Sequence, residues 1–132
     1  MALKHSNECF VCGQGNPQGL QANFVIKDGE IRGEFIPNEN HRGARDLLHG
    51  GLICALLDEA MAALINGVLG TDAATASIEV RFKKPARINE KLFIKAQLIG
   101  SNHRIKYSLA TIEREDGVVV ATGKGKFIHR FN

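Results

Sequence analysis

Residues 49–60 read His-Gly-Gly-Leu-Ile-Cys-Ala-Leu-Leu-Asp-Glu-Ala, placing two adjacent carboxylates, Asp58 and Glu59, inside an otherwise almost wholly apolar run. A helix that is greasy on nearly every side must be buried, and a carboxylate carried into a core needs a partner or a use. Asp58 and Glu59 are therefore the first candidates for acid or base chemistry. The start of the same helix offers N–H groups without intrahelical acceptors and the positive end of the helix dipole, and Gly50 and Gly51 carry no side chain to keep an oxygen atom away. One element thus supplies both a proton-transfer group and donors for an oxygen that becomes negative.

Successive helical side chains point roughly 100° apart, so only one of the two carboxylates can face a given pocket. Gly50 and Asp58 are eight residues apart, about 12 Å at ~1.5 Å per residue, too far for both to act on one carbonyl from the same chain. A second cluster of reactive types opens the sequence: Cys9-Phe10-Val11-Cys12 reads as a metal knuckle, a redox pair or two small apolar residues. No second Cys-x-x-Cys completes a four-ligand zinc site, and of the extra ligands on offer, His5 and Cys54, the latter sits among core residues. The thiols are read as free and structural, with no metal and no cofactor assigned.

Around these residues the hydrophobic pattern predicts strands over 20–27 and 30–36 joined by an Asp28-Gly29 hairpin, and a polar turn region over 37–48. A single long helix is expected from about 50 to 68, ended by Gly67 and Gly70. The period then changes to two, with strands expected over 75–83, 91–99, 103–114 and 118–130. Gly123-Lys124-Gly125 matches no phosphate-binding loop and is read as a glycine-tolerant edge strand. The expected order is β-β-α-β-β-β-β, an α+β fold in which a curved antiparallel sheet of about six strands wraps one central helix. Such a sheet leaves part of so apolar a helix uncovered, so a second copy is expected to complete the burial, as a homodimer or as a homotetramer built as a dimer of dimers.

At 132 residues and 44% hydrophobic, the chain suits one domain, 1–132, with 1–19 as a Cys-, Gly- and Pro-bearing N-terminal segment. The net charge of +3, concentrated in basic residues over 81–87 and 103–106, suits a phosphorylated small ligand better than a nucleic-acid groove. One Tyr, no Trp and no basic stretch interleaved with aromatics argue against nucleic acid. The absence of an apolar leader, and the interruption of the longest greasy stretch by Asp58, Glu59, Asn66 and Gly67, lead to the expectation of a cytoplasmic protein with no membrane partner.

The helix signature His-Gly-Gly-x4-Leu-Leu-Asp-Glu-Ala, the strand order, the 75–87 stretch TASIEVRFKKPAR and the opening CFVCGQGNPQGL together resemble the hotdog-fold acyl-CoA thioesterases of the phenylacetate-pathway (PaaI-like) type, over nearly the whole chain. The resemblance implies thioester hydrolysis to a free acid and coenzyme A. Asp58, nine residues after His49, would be general base or nucleophile, and the Gly50 N–H would polarise the carbonyl. It also implies an active site composed from two subunits, in agreement with the separation of Gly50 and Asp58. Thr75 stands where these enzymes carry a Ser or Thr that positions the water or the carboxylate. His49 would orient the loop-to-helix junction, and Glu59 would be a flanking charge. Gly51, Asn40 and His41 are expected to line the substrate site; Lys83, Lys84, Arg87 and Arg104, with Lys106 beside them, either hold coenzyme A phosphates or form a solvated strand face. One position departs from the pattern: Gly43 stands where an Asn or Gln often partners the His, leaving Asn38, Asn40 or His41 as substitutes. Two other readings remain, a hotdog enoyl-thioester hydratase or dehydratase and a non-catalytic acyl-CoA or aromatic-ligand binding module; the His-Gly-Gly helix with its Asp58 counts against both.

Overall fold

The computed structural model describes residues 6–129; His5 lies outside them. The strands are β1 (Asn23–Lys27), β2 (Glu30–Phe35), β3 (Ala73–Phe82), β4 (Leu92–Ser101), β5 (Ile105–Arg114) and β6 (Val119–His129), and one long helix, α1 (Gly50–Leu69), lies between β2 and β3. All strand pairs are antiparallel, in a single sheet of order β1-β2-β4-β5-β6-β3. This is the hotdog arrangement, a six-stranded sheet curled around a central helix.

Alternating burial along β1, β2 and β4 turns one face of the sheet to the helix. From α1, Leu56, Leu57, Ala60, Met61, Leu64 and Ile65 meet it fully buried. By length and mean hydropathy (1.8) α1 would be able to cross a membrane; here it is the core helix of the sheet, a role with the same apolar requirement. Its buried face lies close to β6. A Cβ on Gly125 would sit 2.6 Å from the Phe127 ring and 3.1 Å from the Met61 sulfur. β6 lies between β5 and β3 and is not an edge, so its glycines serve the approach of a helix rather than a strand border.

Three local features differ from expectation. β1 starts at Asn23, because the N–H groups of Leu20 and Ala22 donate to the carbonyls of Phe10 (2.7 Å) and Val11 (2.8 Å) in the N-terminal segment. α1 continues through Gly67 and ends where Gly70 takes the left-handed conformation (φ 63°). A short 3-10 turn, Glu39–His41, forms in the polar stretch before α1.

The sheet edges are β1 and β3. β3 carries half-buried Ile78 and Val80 and a Phe82 that is 57% exposed.

Candidate functional site

Asp58 and Thr75 meet. The Thr75 hydroxyl donates to Asp58 Oδ1 at 2.7 Å, the short distance of an O–H···carboxylate bond. Asp58 and Glu59 are both partly exposed, Asp58 beside the edge strand β3 and Glu59 on the side of the N-terminal segment. The expectation of deeply buried carboxylates is corrected accordingly. The α1–β3 connection that leads into Thr75 is stapled by Asn66. Its Oδ1 accepts from the Ala73 N–H (2.8 Å) and the Thr71 hydroxyl (3.1 Å), and its Nδ2 donates to the Ala73 carbonyl (3.3 Å). Sequence reading saw Asn66 only as a break in an apolar run; a polar residue one turn before a helix end, followed by Gly-Thr-Asp, was the available signal.

The N-terminus of α1 is built by His49. As N-cap, its Nδ1 accepts the Gly51 N–H at 2.8 Å, so that donor is already engaged. The Gly50 N–H makes no hydrogen bond among the described residues. A Cβ at Gly50 would sit 3.5 Å from the ring of Phe82, so the helix start borders the far end of β3 from Thr75. Gly43 explains its departure from the family pattern by space. A Cβ there would lie 3.0 Å from His49 Cα, and the His49 N–H is taken instead by the His41 carbonyl (3.0 Å).

His41 and Asn40 belong to the 3-10 turn. Asn38 Oδ1 accepts from the Asn40 N–H (2.8 Å) and the Asn38 N–H donates to His41 Nδ1 (2.9 Å), a reciprocal cap. Packed at 5.2 Å against the Phe35 ring, His41 is held below its ordinary pKa by burial. Next to the turn a surface hollow of about 530 Å³ opens beside Gly50, lined by Arg42, Leu47 and His49 among others; Arg42 is a cation that the sequence reading passed over. Another hollow, of about 440 Å³, lies on the outer face of β1, β2, β4 and β5 and touches neither α1 nor β3. It is remote from this chemistry.

The predicted cations divide. Lys83 and Lys84, both exposed, follow Phe82, their N–H groups donating to the Val120 carbonyl (2.8 and 3.1 Å), and Arg87 bridges to Leu47; all three lie toward the Gly50 end. Arg104 does not join them. Its carbonyl accepts the His129 N–H (2.9 Å), nine β6 residues from Val120, roughly 30 Å at ~3.3 Å per residue. Lys106 is buried, with Nζ donating to the Asn102 carbonyl (2.6 Å). A single phosphate cluster within one chain is thus overturned by strand register.

Glu59 points away from Thr75 toward the N-terminal segment, where Cys9 Sγ and Cys12 Sγ lie 3.5 and 3.4 Å from its two carboxylate oxygens. Burial, and secondarily the Glu59 charge, push the Cys12 thiol well above its ordinary range; burial alone raises Cys54.

Residues 46–121, more than half of the chain, match the family model described as the thioesterase superfamily. An Archaeoglobus fulgidus protein named "Putative esterase" is 26% identical over 107 residues, 81% of this chain and 68% of that protein. Among solved structures, a thioesterase superfamily protein superposes with TM-score 0.85 at 24% identity, covering 92% of this chain but 60% of that one, so this chain spans three fifths of its length. The Escherichia coli PaaI protein from the phenylacetic acid degradation operon gives TM-score 0.80 at 19% identity over 86% and 82% of the two chains. A "Hypothetical Thioesterase Protein" of Streptococcus pneumoniae crystallised with coenzyme A gives 0.77 at 16% over 82% and 87%, and its Asp-to-Ala and Thr-to-Ala variants have also been crystallised. These likenesses establish the fold, and the sequence match establishes the family: the chain belongs to the thioesterase superfamily.

Proposed function

We propose that this protein is an acyl-CoA thioesterase of the phenylacetate-pathway type, with active sites shared between two copies of the chain. The observation that carries the reading is the 2.7 Å bond from Thr75 to Asp58, on the open flank of a helix whose own N-terminus lies eight residues away. The Thr75 proton is committed to Oδ1, which fixes the carboxylate and leaves Oδ2 to take a proton from water. Water attacks the thioester carbonyl carbon as its proton passes to Asp58, and the carbonyl oxygen becomes negative against the Gly50 N–H of the partner subunit. Collapse of the tetrahedral species breaks the C–S bond and releases the coenzyme A thiolate, which is protonated. Direct attack by Asp58 through an anhydride uses the same groups.

The composite arrangement is supported by the exposed edge of β3. Thr75 is near one end of that strand and Phe82, against Gly50, at the other. Antiparallel pairing of two β3 edges about a two-fold axis brings the Thr75 end of one copy beside the Gly50 end of its mate. The same operation carries Lys83, Lys84 and Arg87 of one chain toward the Asp58 of the other, where they can meet coenzyme A phosphates. The coenzyme A in the pneumococcal neighbour supports this choice of substrate.

The test is hydrolysis of short, long, branched and aromatic acyl-CoAs, read by release of free thiol. At least one class is expected to turn over, with Asp58→Asn at least about a hundredfold slower while folded, as loss of a general base commonly costs ~10²- to 10⁴-fold. Binding of these esters without turnover by the native protein would establish a binding module instead.

A further inference from the structure

We propose that Cys9, Cys12 and Glu59 form a zinc site that clips the N-terminal segment to α1. The two sulfurs and a carboxylate oxygen of Glu59 lie within 4.8 Å of one another, with S···O separations of 3.4 and 3.5 Å to its two oxygens. Ligands around one tetrahedral zinc, with Zn–S of about 2.3 Å and Zn–O of about 2.1 Å, are separated by roughly 3.6 Å. The two S···O separations, one to each oxygen of Glu59, match that spacing, so a small closure of the three groups would seat an ion between them.

The cysteines are also presented as a knuckle. The Cys12 N–H points at Cys9 Sγ (3.5 Å), and the Gly13 N–H closes the turn on the Cys9 carbonyl (2.9 Å). Gly13 is required there, since a Cβ would lie 2.5 Å from Cys9 N and 2.6 Å from Cys9 O. The intervening residues are fixed as well, Phe10 and Val11 accepting from Leu20 and Ala22. A redox pair fits less well. Reactive thiols sit beside cations or helix N-termini, whereas these face a carboxylate.

Two thiolates and a carboxylate form a soft, anionic donor set suited to zinc over magnesium or calcium. Binding releases two thiol protons to solvent. The fourth position falls to water. The third ligand lies outside any Cys-x-x-Cys spacing because it comes from α1, 47 residues after Cys12. Glu59 adjoins Asp58, so the ion would anchor the helix turn that carries the proposed base.

The experiment is anaerobic titration of the reduced full chain with Co²⁺, followed by displacement with Zn²⁺ and metal counting by mass spectrometry. One equivalent per chain is expected, with thiolate-to-cobalt charge-transfer and strong tetrahedral d–d absorption. The bands should survive Cys54→Ser, weaken at least tenfold in affinity in Glu59→Gln and vanish in the Cys9→Ser/Cys12→Ser double variant. If the double variant does not fold, the bands in Cys54→Ser alone decide, since its only thiols are Cys9 and Cys12. Absence of stoichiometric cobalt in the reduced native chain, or uptake unchanged in the double variant, overturns the proposal.

Discussion

A hydroxyl and a carboxylate brought together across 17 residues of sequence divide their tasks by hydrogen-bonding capacity. Thr75 has one proton to give and gives it to Asp58, so the methyl in Thr75→Val removes the restraint without changing size. Hydrogen bonds to charged groups contribute about 1.5–3 kcal/mol. If that restraint is needed in the transition state, kcat should fall about ten- to a hundredfold with KM little altered, and Thr75→Ser should recover most of it. Steady-state kinetics on the best acyl-CoA decide it; an unchanged kcat in Thr75→Val would remove Thr75 from the mechanism. His41 makes a different residue-scale prediction. Its Nδ1 must be unprotonated to accept from Asn38, and burial lowers its pKa in the fold. A lowered histidine value means that the folded state prefers the neutral ring. The resulting stability is therefore complete above the ordinary imidazole pKa and is lost as pH falls through the lowered folded value. Urea unfolding across this acid range should show a loss of stability that is absent from His41→Ala.

At the level of elements, the α1–β3 connection links the helix that carries Asp58 to the strand that carries Thr75. Three hydrogen bonds from Asn66 hold Ala73 and Thr71, and Ala73 is two residues before Thr75. Asn66→Ala should therefore lose about 1–3 kcal/mol in urea unfolding and also lower kcat, because β3 would enter the sheet with Thr75 less firmly placed. A variant destabilised by that amount with unchanged kcat would show that the strand register alone positions Thr75. The element order, the helix and the hairpins were legible in the sequence because period and turn chemistry are local signals. The Asp58–Thr75 pairing was reached through family resemblance, and the cap of His49 on Gly51 has a local cause. What escaped was set by tertiary register. Arg104 lies at the opposite end of the sheet from Lys83 because β5 and β6 pair Ile105 with Ile128. Gly125 serves a helix approach visible only once α1 and β6 are packed, and Glu59 turns toward cysteines that are distant in sequence.

For the whole molecule, one chain holds Asp58 and Gly50 on the same helix about 12 Å apart, and β3 ends the sheet with Phe82 largely exposed. Both facts are resolved if two copies join along β3, and complementation tests them together. Asp58→Asn should remove the base. Gly50→Pro removes the N–H, and the fold should tolerate it: Pro suits a first helical position, and a Cβ at Gly50 meets the Phe82 ring at an ordinary 3.5 Å. Each variant alone is expected to be inactive. Refolded together, they form mixed dimers in which one site combines the intact Asp58 of one chain with the intact Gly50 of the other, while the second site carries both defects. Statistical mixing makes roughly half of the dimers mixed, each with one good site of two, so up to about a quarter of native activity should return. Light scattering must find a dimer or a multiple of it, and differently tagged chains must co-purify. Heterodimers that form and stay inactive would mean that the Gly50 N–H is not the oxyanion donor or that sites are not shared; a stable monomer at micromolar concentration would exclude sharing outright.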